Sequence, residues 1–109
     1  MLDDGELLTA AIDLIPESFA IDILADARNE GFSSISFTAA STGLNRSTIE
    51  RVLATVTTRE DDPTWQRLGT AAQLDACFPE RNGIGCWDLL DELGLTTVYV
   101  KHDRPVPDP

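Results

Sequence analysis

Lysine is almost missing from this chain. One Lys and seven Arg face twelve Asp and seven Glu over 109 residues, a formal charge of -11. A surface so poor in basic side chains ordinarily argues against nucleic-acid binding, because phosphate neutralisation by Lys and Arg supplies most non-specific affinity. Histidine occurs once, at His102, and cysteine twice, at Cys77 and Cys86, too few for a disulfide framework. A structural zinc site takes about four ligands, and Cys77, Cys86, His102 and a carboxylate such as Asp75 stand at no recognisable metal spacing. The thiols are expected to stay reduced and semi-buried. No stretch approaches the ~20 apolar residues of a membrane span. The start, MLDDGELL, has neither the basic flank nor the apolar run of a secretory signal. These absences predict a soluble, cytoplasmic protein. Glycine-rich phosphate loops and nucleophile elbows are missing too, and His102 and Asp103, as neighbours on a strand, would face opposite ways. The chain is therefore expected to be no enzyme and to carry no cofactor.

What is present is 42% hydrophobic residues in a length suited to one domain, residues 1–109, with a modest core. The abundance of short carboxylates beside scarce lysine resembles the composition of proteins from salt-accumulating halophiles, whose hydrated surfaces avoid the long lysine stem. Two other readings fit the same charge: an acidic protein with a basic partner, and a mimic of nucleic acid.

Asp3 with Glu6 three residues later is a capping pair that opens a helix through about Leu14, with Leu7, Leu8, Ala11, Ile12 and Ile15 on one side. Pro16 ends that helix and opens another over residues 17–29. Residues 33–37, with Ile35 and Phe37 alternating, predict a brief strand before a short helix over 38–42. In residues 45–57 the apolar positions Ile49, Val52, Leu53 and Val56 form one helical stripe, with Asn45 as N-cap. Residues 56–68 are read as a hairpin, strands 56–59 and 64–68 flanking Asp61-Asp62-Pro63. The competing reading makes 64–78 one helix, which Gly69 would interrupt. A C-terminal extension over 70–101 follows: a helix to Phe78, a loop, a helix from Trp87 to Leu93, and a strand over 96–101. Residues 103–109 hold three prolines and read as an extended tail.

The spacing in ISFTAASTGLNRSTIERVLA, residues 35–54, is that of two helices crossing at a glycine turn. Ala39 is small at the crossing, Gly43 suits a left-handed turn residue, and Leu44, Ile49 and Val52 fill the corner. Residues 17–68 resemble the winged helix-turn-helix domain of transcriptional regulators, and TGLNRSTIERVLATV followed by WQRLG is most similar to the IclR type. The resemblance implies an α+β, mainly α fold, with the helix-turn-helix at 35–57, a wing at 56–68, and an N-terminal helix and C-terminal helix-strand extension around them. It also implies a sequence-specific regulator of transcription that binds double-stranded DNA, here adapted to high salt and dimeric, since two half-sites multiply specificity. Asn45, Arg46, Ser47, Thr48, Glu50, Arg51 and Ala54 are the expected DNA-facing residues. At the wing tip, Glu60-Asp61-Asp62 stands where DNA binders carry basic residues. The alternative is an acidic winged-helix module that binds protein rather than DNA, through the helix of Leu7 to Ile15 or that of Trp87 to Leu93.

Overall fold

The computed structural model describes residues 2–80 and 83–101. It is α+β and mainly helical: α1 (Asp4–Asp13), α2 (Glu17–Asn29), β1 (Ser34–Ala39), α3 (Arg46–Arg59), α4 (Pro63–Gln66), α5 (Thr70–Ala76), α6 (Cys86–Leu93) and β2 (Leu95–Val100). The capping pair predicted at the start forms. The Glu6 backbone N–H donates to Asp3 Oδ1 at 2.7 Å, and the Asp3 N–H donates to Glu6 Oε1 at 3.2 Å. Leu7 and Ala11 of α1, Ile23 of α2, Ile49 and Val52 of α3, and Leu89, Leu90 and Leu93 of α6 meet in one core with Trp65, Leu74, Phe78 and Leu95. Complete burial of a Leu or Ile in such a core is worth about 1.5–3 kcal/mol. The apolar stripes read from the sequence thus do face one another.

Between β1 and β2 the pairing is antiparallel, with Ile35 opposite Tyr99, Phe37 opposite Thr97 and Ala39 opposite Leu95. Both α2 and α6 pack against this ribbon, α2 on β1 and α6 on β2. The sequence predicted both strands but not that they pair. Residues 95–100 therefore complete the sheet that β1 begins, rather than extending a finished domain.

Two expected elements are replaced. No helix forms over 38–42. β1 runs on to Ala39 because Phe37 and Ala39 prolong the alternation begun by Ile35, and β-branched Thr38 sits opposite β-branched Thr96. α3 is consequently preceded by a strand and a loop, so the first helix expected in 35–57 is absent. Gly43 does take the left-handed conformation foreseen for it, at φ 88°. The wing over 56–68 is the second replacement. α3 continues to Arg59 because Val56 extends its inward stripe, and Asp62-Pro63 is a helix start rather than a hairpin turn. Asp62 Oδ1 accepts from the Thr64 N–H at 2.9 Å, and Trp65 is buried in the core. The alternative single helix over 64–78 is also divided, into α4 and α5 around Gly69.

One residue ties the two halves together. Gly94 ends α6 at φ 77°, and a Cβ there would collide with the Gly43 carbonyl oxygen and the Asn45 nitrogen. The Ala40 N–H donates to the Gly94 carbonyl at 2.9 Å, and the Asn45 N–H donates to the Leu93 carbonyl at 3.0 Å. The start of α3 is thereby fixed against the end of α6.

Candidate functional site

The seven residues expected to face DNA lie at the start and along one side of α3, where Asn45, Ser47, Glu50, Arg51 and Ala54 are exposed and Arg46 and Thr48 are half-buried. Asn45 caps the helix, its side chain accepting from the Thr48 N–H at 3.3 Å and from the Ser47 hydroxyl at 3.1 Å. Both arginines bond the chain itself. Arg46 donates to the Leu2 carbonyl at 2.9 Å and pairs with Asp4 at 3.3 Å, which ties α3 to the start of α1. Arg51 donates to the Cys77 carbonyl at 2.7 Å and lies over the Phe78 ring at 5.2 Å. It thus serves as a cationic cap on the C-terminal end of α5. Burial raises the Cys77 thiol pKa, and Arg51 and Arg59 draw it partly back. Farther along α3, a shallow depression of about 390 Å³ is lined by Arg51, Ala54, Thr55, Thr58 and Arg59, with no carboxylate among the described residues. Arg59 in turn lies over the Trp65 ring at 5.3 Å.

A second surface lies between α6 and β2. Trp87, Leu90 and Asp91, one face of α6, form one wall of a groove of about 340 Å³, and Leu95, Thr96, Thr97 and Tyr99 of β2 form the other. Trp87 stands at this groove 51% exposed, a large apolar surface left in solvent on an acidic protein. The Tyr99 hydroxyl donates to Asp26 Oδ2 at 2.6 Å, and its ring packs on Phe32 with centroids 5.4 Å apart. That hydrogen bond, with lesser contributions from desolvation and the charges of Asp26 and Glu30, pushes the Tyr99 pKa up to about 12. Thr97 Oγ1 is shut off from solvent and has no hydrogen-bond partner among the described residues.

Backbone geometry leaves this side of the sheet open. The bond from Ala40 to the Gly94 carbonyl, with the register, makes the even-numbered residues of the two strands the hydrogen-bonded pairs. The Ser33 N–H also reaches the Val100 carbonyl, at 2.9 Å. The N–H and C=O groups of Leu95, Thr97 and Tyr99 therefore point away from β1. Among the described residues the sheet has two strands, so no third strand takes them up.

Comparisons with family models, with curated proteins and with solved structures give no match. The site is thus read from its own geometry.

Of the two helices named in the sequence as docking surfaces, that of residues 7–15 is largely spent. Its Leu7 and Ala11 are buried, and α1 packs on α3 and β1. The other, α6, keeps Trp87 in solvent. Leu89, Leu90 and Leu93 of the same helix are buried, so Trp87 is the large apolar residue that α6 leaves exposed. Asp75, considered as a metal ligand, instead accepts from the Gly83 N–H at 2.7 Å and the Ile84 N–H at 3.1 Å, holding the loop before α6. Cys77 is buried and Cys86 half-buried, both free thiols. His102 and the tail over 103–109 lie outside the described residues.

Proposed function

We propose that this protein is an acidic protein-interaction module whose working surface is the groove between α6 and β2. The observation that carries the reading is Trp87, half in solvent at a groove whose strand β2 has no second partner strand among the described residues. Exposed aromatics are typical anchors of protein interfaces. The engagement of Arg46 and Arg51 with the chain's own carbonyls supports it further, since an arginine held this way has fewer donors for a phosphate.

A second reading keeps α3 as a recognition helix, as in winged-helix regulators, and has one observation in its favour. The depression between Arg51 and Arg59 is free of carboxylates on an otherwise acidic chain. At high salt, close-range contacts from such a surface would survive the screening of the remaining charge.

Photo-crosslinking separates the two. With p-benzoylphenylalanine in place of Trp87 or of Ala54, in the cell that makes the protein, protein adducts are expected from position 87 and no nucleic-acid adducts from position 54. Nucleic-acid adducts from position 54 with no protein adducts from position 87 would overturn the reading in favour of DNA.

A further inference from the structure

Resting on the protein-interaction reading, we infer that the groove receives an extended basic segment of a partner protein, which adds a third strand along the open edge of β2 and lowers alternate side chains between Trp87 and Tyr99. Leu95 is buried at the start of β2, so the edge that can receive a strand runs over residues 96–100, about 17 Å at strand rise, and accommodates a segment of similar length. Strand edges left in solvent are normally blunted by lysine, proline or inward charge. β2 carries none of these, its sequence being LTTVYV. The groove beside it, about 340 Å³, is at the lower end of ligand-pocket sizes and offers room for side chains rather than a whole cofactor. Main-chain bonds to an edge with side chains set in an adjoining helix–strand groove are a known mode of peptide capture.

Charge selects the occupant. Among the described residues the one charged side chain lining the groove is Asp91, and Asp26 holds the Tyr99 hydroxyl at its other wall. A second copy of this chain would bring a charge of -11 against the same charge. The chain's own residues 102–109 are also poorly suited, because Pro105, Pro107 and Pro109 lack the N–H that edge pairing needs. A segment carrying Lys or Arg between large apolar residues meets both the backbone and the electrostatic requirement.

The test is selection of random hexapeptides displayed on phage against the full chain at about 0.1 M KCl, where charges still act over about 10 Å. Enriched peptides are expected to alternate large apolar residues with Lys or Arg and to exclude internal proline. The best one, made synthetically, should shift the amide resonances of Thr97 and Tyr99. It should lose at least about tenfold in affinity for Trp87→Ala, the effect of removing an anchor residue. Because Trp87 is half exposed, that variant is expected to keep its fold, as circular dichroism would verify. Asp91→Lys, which leaves Trp87 and Tyr99 in place, should likewise weaken binding. Three results would overturn the proposal: enrichment of acidic peptides, binding undiminished by Trp87→Ala, or a concentration-dependent dimer that buries Trp87. Peptides bound away from the groove would refute this inference while leaving the protein-interaction reading standing. Nucleic-acid crosslinks from position 54, with none to protein from 87, would remove both.

Discussion

Arg51, exposed on α3, joins two neighbours with one side chain: it donates to the carbonyl at the end of α5 and covers Phe78. A phosphate-reading arginine would be dispensable for stability, whereas this one is expected not to be. Arg51→Ala should destabilise the fold by about 1–2 kcal/mol, combining a charge-assisted hydrogen bond and a cation–π contact at a partly solvated site. For a domain of this size that lowers the melting temperature by about 5 °C or more, read by circular dichroism. An unchanged melting curve would return Arg51 to the pool of residues available to a ligand. Tyr99 gives a residue-scale prediction in pH. Its pKa rises from 10.0 to about 12 in the folded chain, chiefly through the hydrogen bond to Asp26. The folded state therefore holds this proton more tightly than the unfolded state. The resulting stability is complete below pH 10 and is lost as pH rises from 10 towards 12. Denaturant midpoints measured across that window should fall less steeply for Tyr99→Phe than for the parent.

At the level of elements, Gly94 is where helix, strand and the loop before α3 meet. Gly94→Ala would impose a left-handed conformation on a residue with a side chain and drive its Cβ into the backbone at Gly43 and Asn45. Neither backbone can retreat, because the Ala40 and Asn45 N–H groups bond the Gly94 and Leu93 carbonyls. A loss of about 2–4 kcal/mol is expected in chemical denaturation, with the amides of both β2 and the start of α3 losing hydrogen-exchange protection together. Protection lost in β2 alone would show that the two halves are not coupled there. The same junction explains which elements were legible in the sequence. α1, α2, α3 and α6 carry uninterrupted apolar stripes with caps, so local pattern and tertiary packing agree. The stretch 38–42 is ambiguous locally, because Ala39, Ala40 and Thr42 tolerate helix, and the decision comes from β2, more than fifty residues away. Residues 56–68 misled for the opposite reason. Asp61-Asp62-Pro63 has the composition of a turn, and its use as a helix start depends on Trp65 finding the core. The groove was half visible: the sequence marked α6 as a docking helix, but the open edge of β2 became apparent only once its pairing with β1 fixed which backbone groups point outward.

For the whole molecule, the dominant fact is nineteen carboxylates against eight basic side chains in 109 residues. Some of that charge has local use: Asp3 and Asp62 cap helices, Asp4 pairs with Arg46, Asp75 holds a loop and Asp26 receives Tyr99. The charge as a whole still opposes compaction, since like charges repel across a small domain at low ionic strength. The halophile-like composition adds a specific expectation, that the chain is built for a medium in which this repulsion is screened. Raising KCl from about 0.1 M to about 1 M shortens the Debye length from ~10 Å to ~3 Å, and the melting temperature is expected to climb through that range. Sucrose at matched water activity provides the control, because it favours compact states by exclusion without screening charge. A rise with KCl well beyond that with sucrose assigns the effect to carboxylate repulsion. Equal rises in the two solutes would refute that assignment. Binding of a basic segment in the groove should change in the opposite direction with salt, weakening over the range in which the fold strengthens, because one process relieves repulsion and the other exploits attraction.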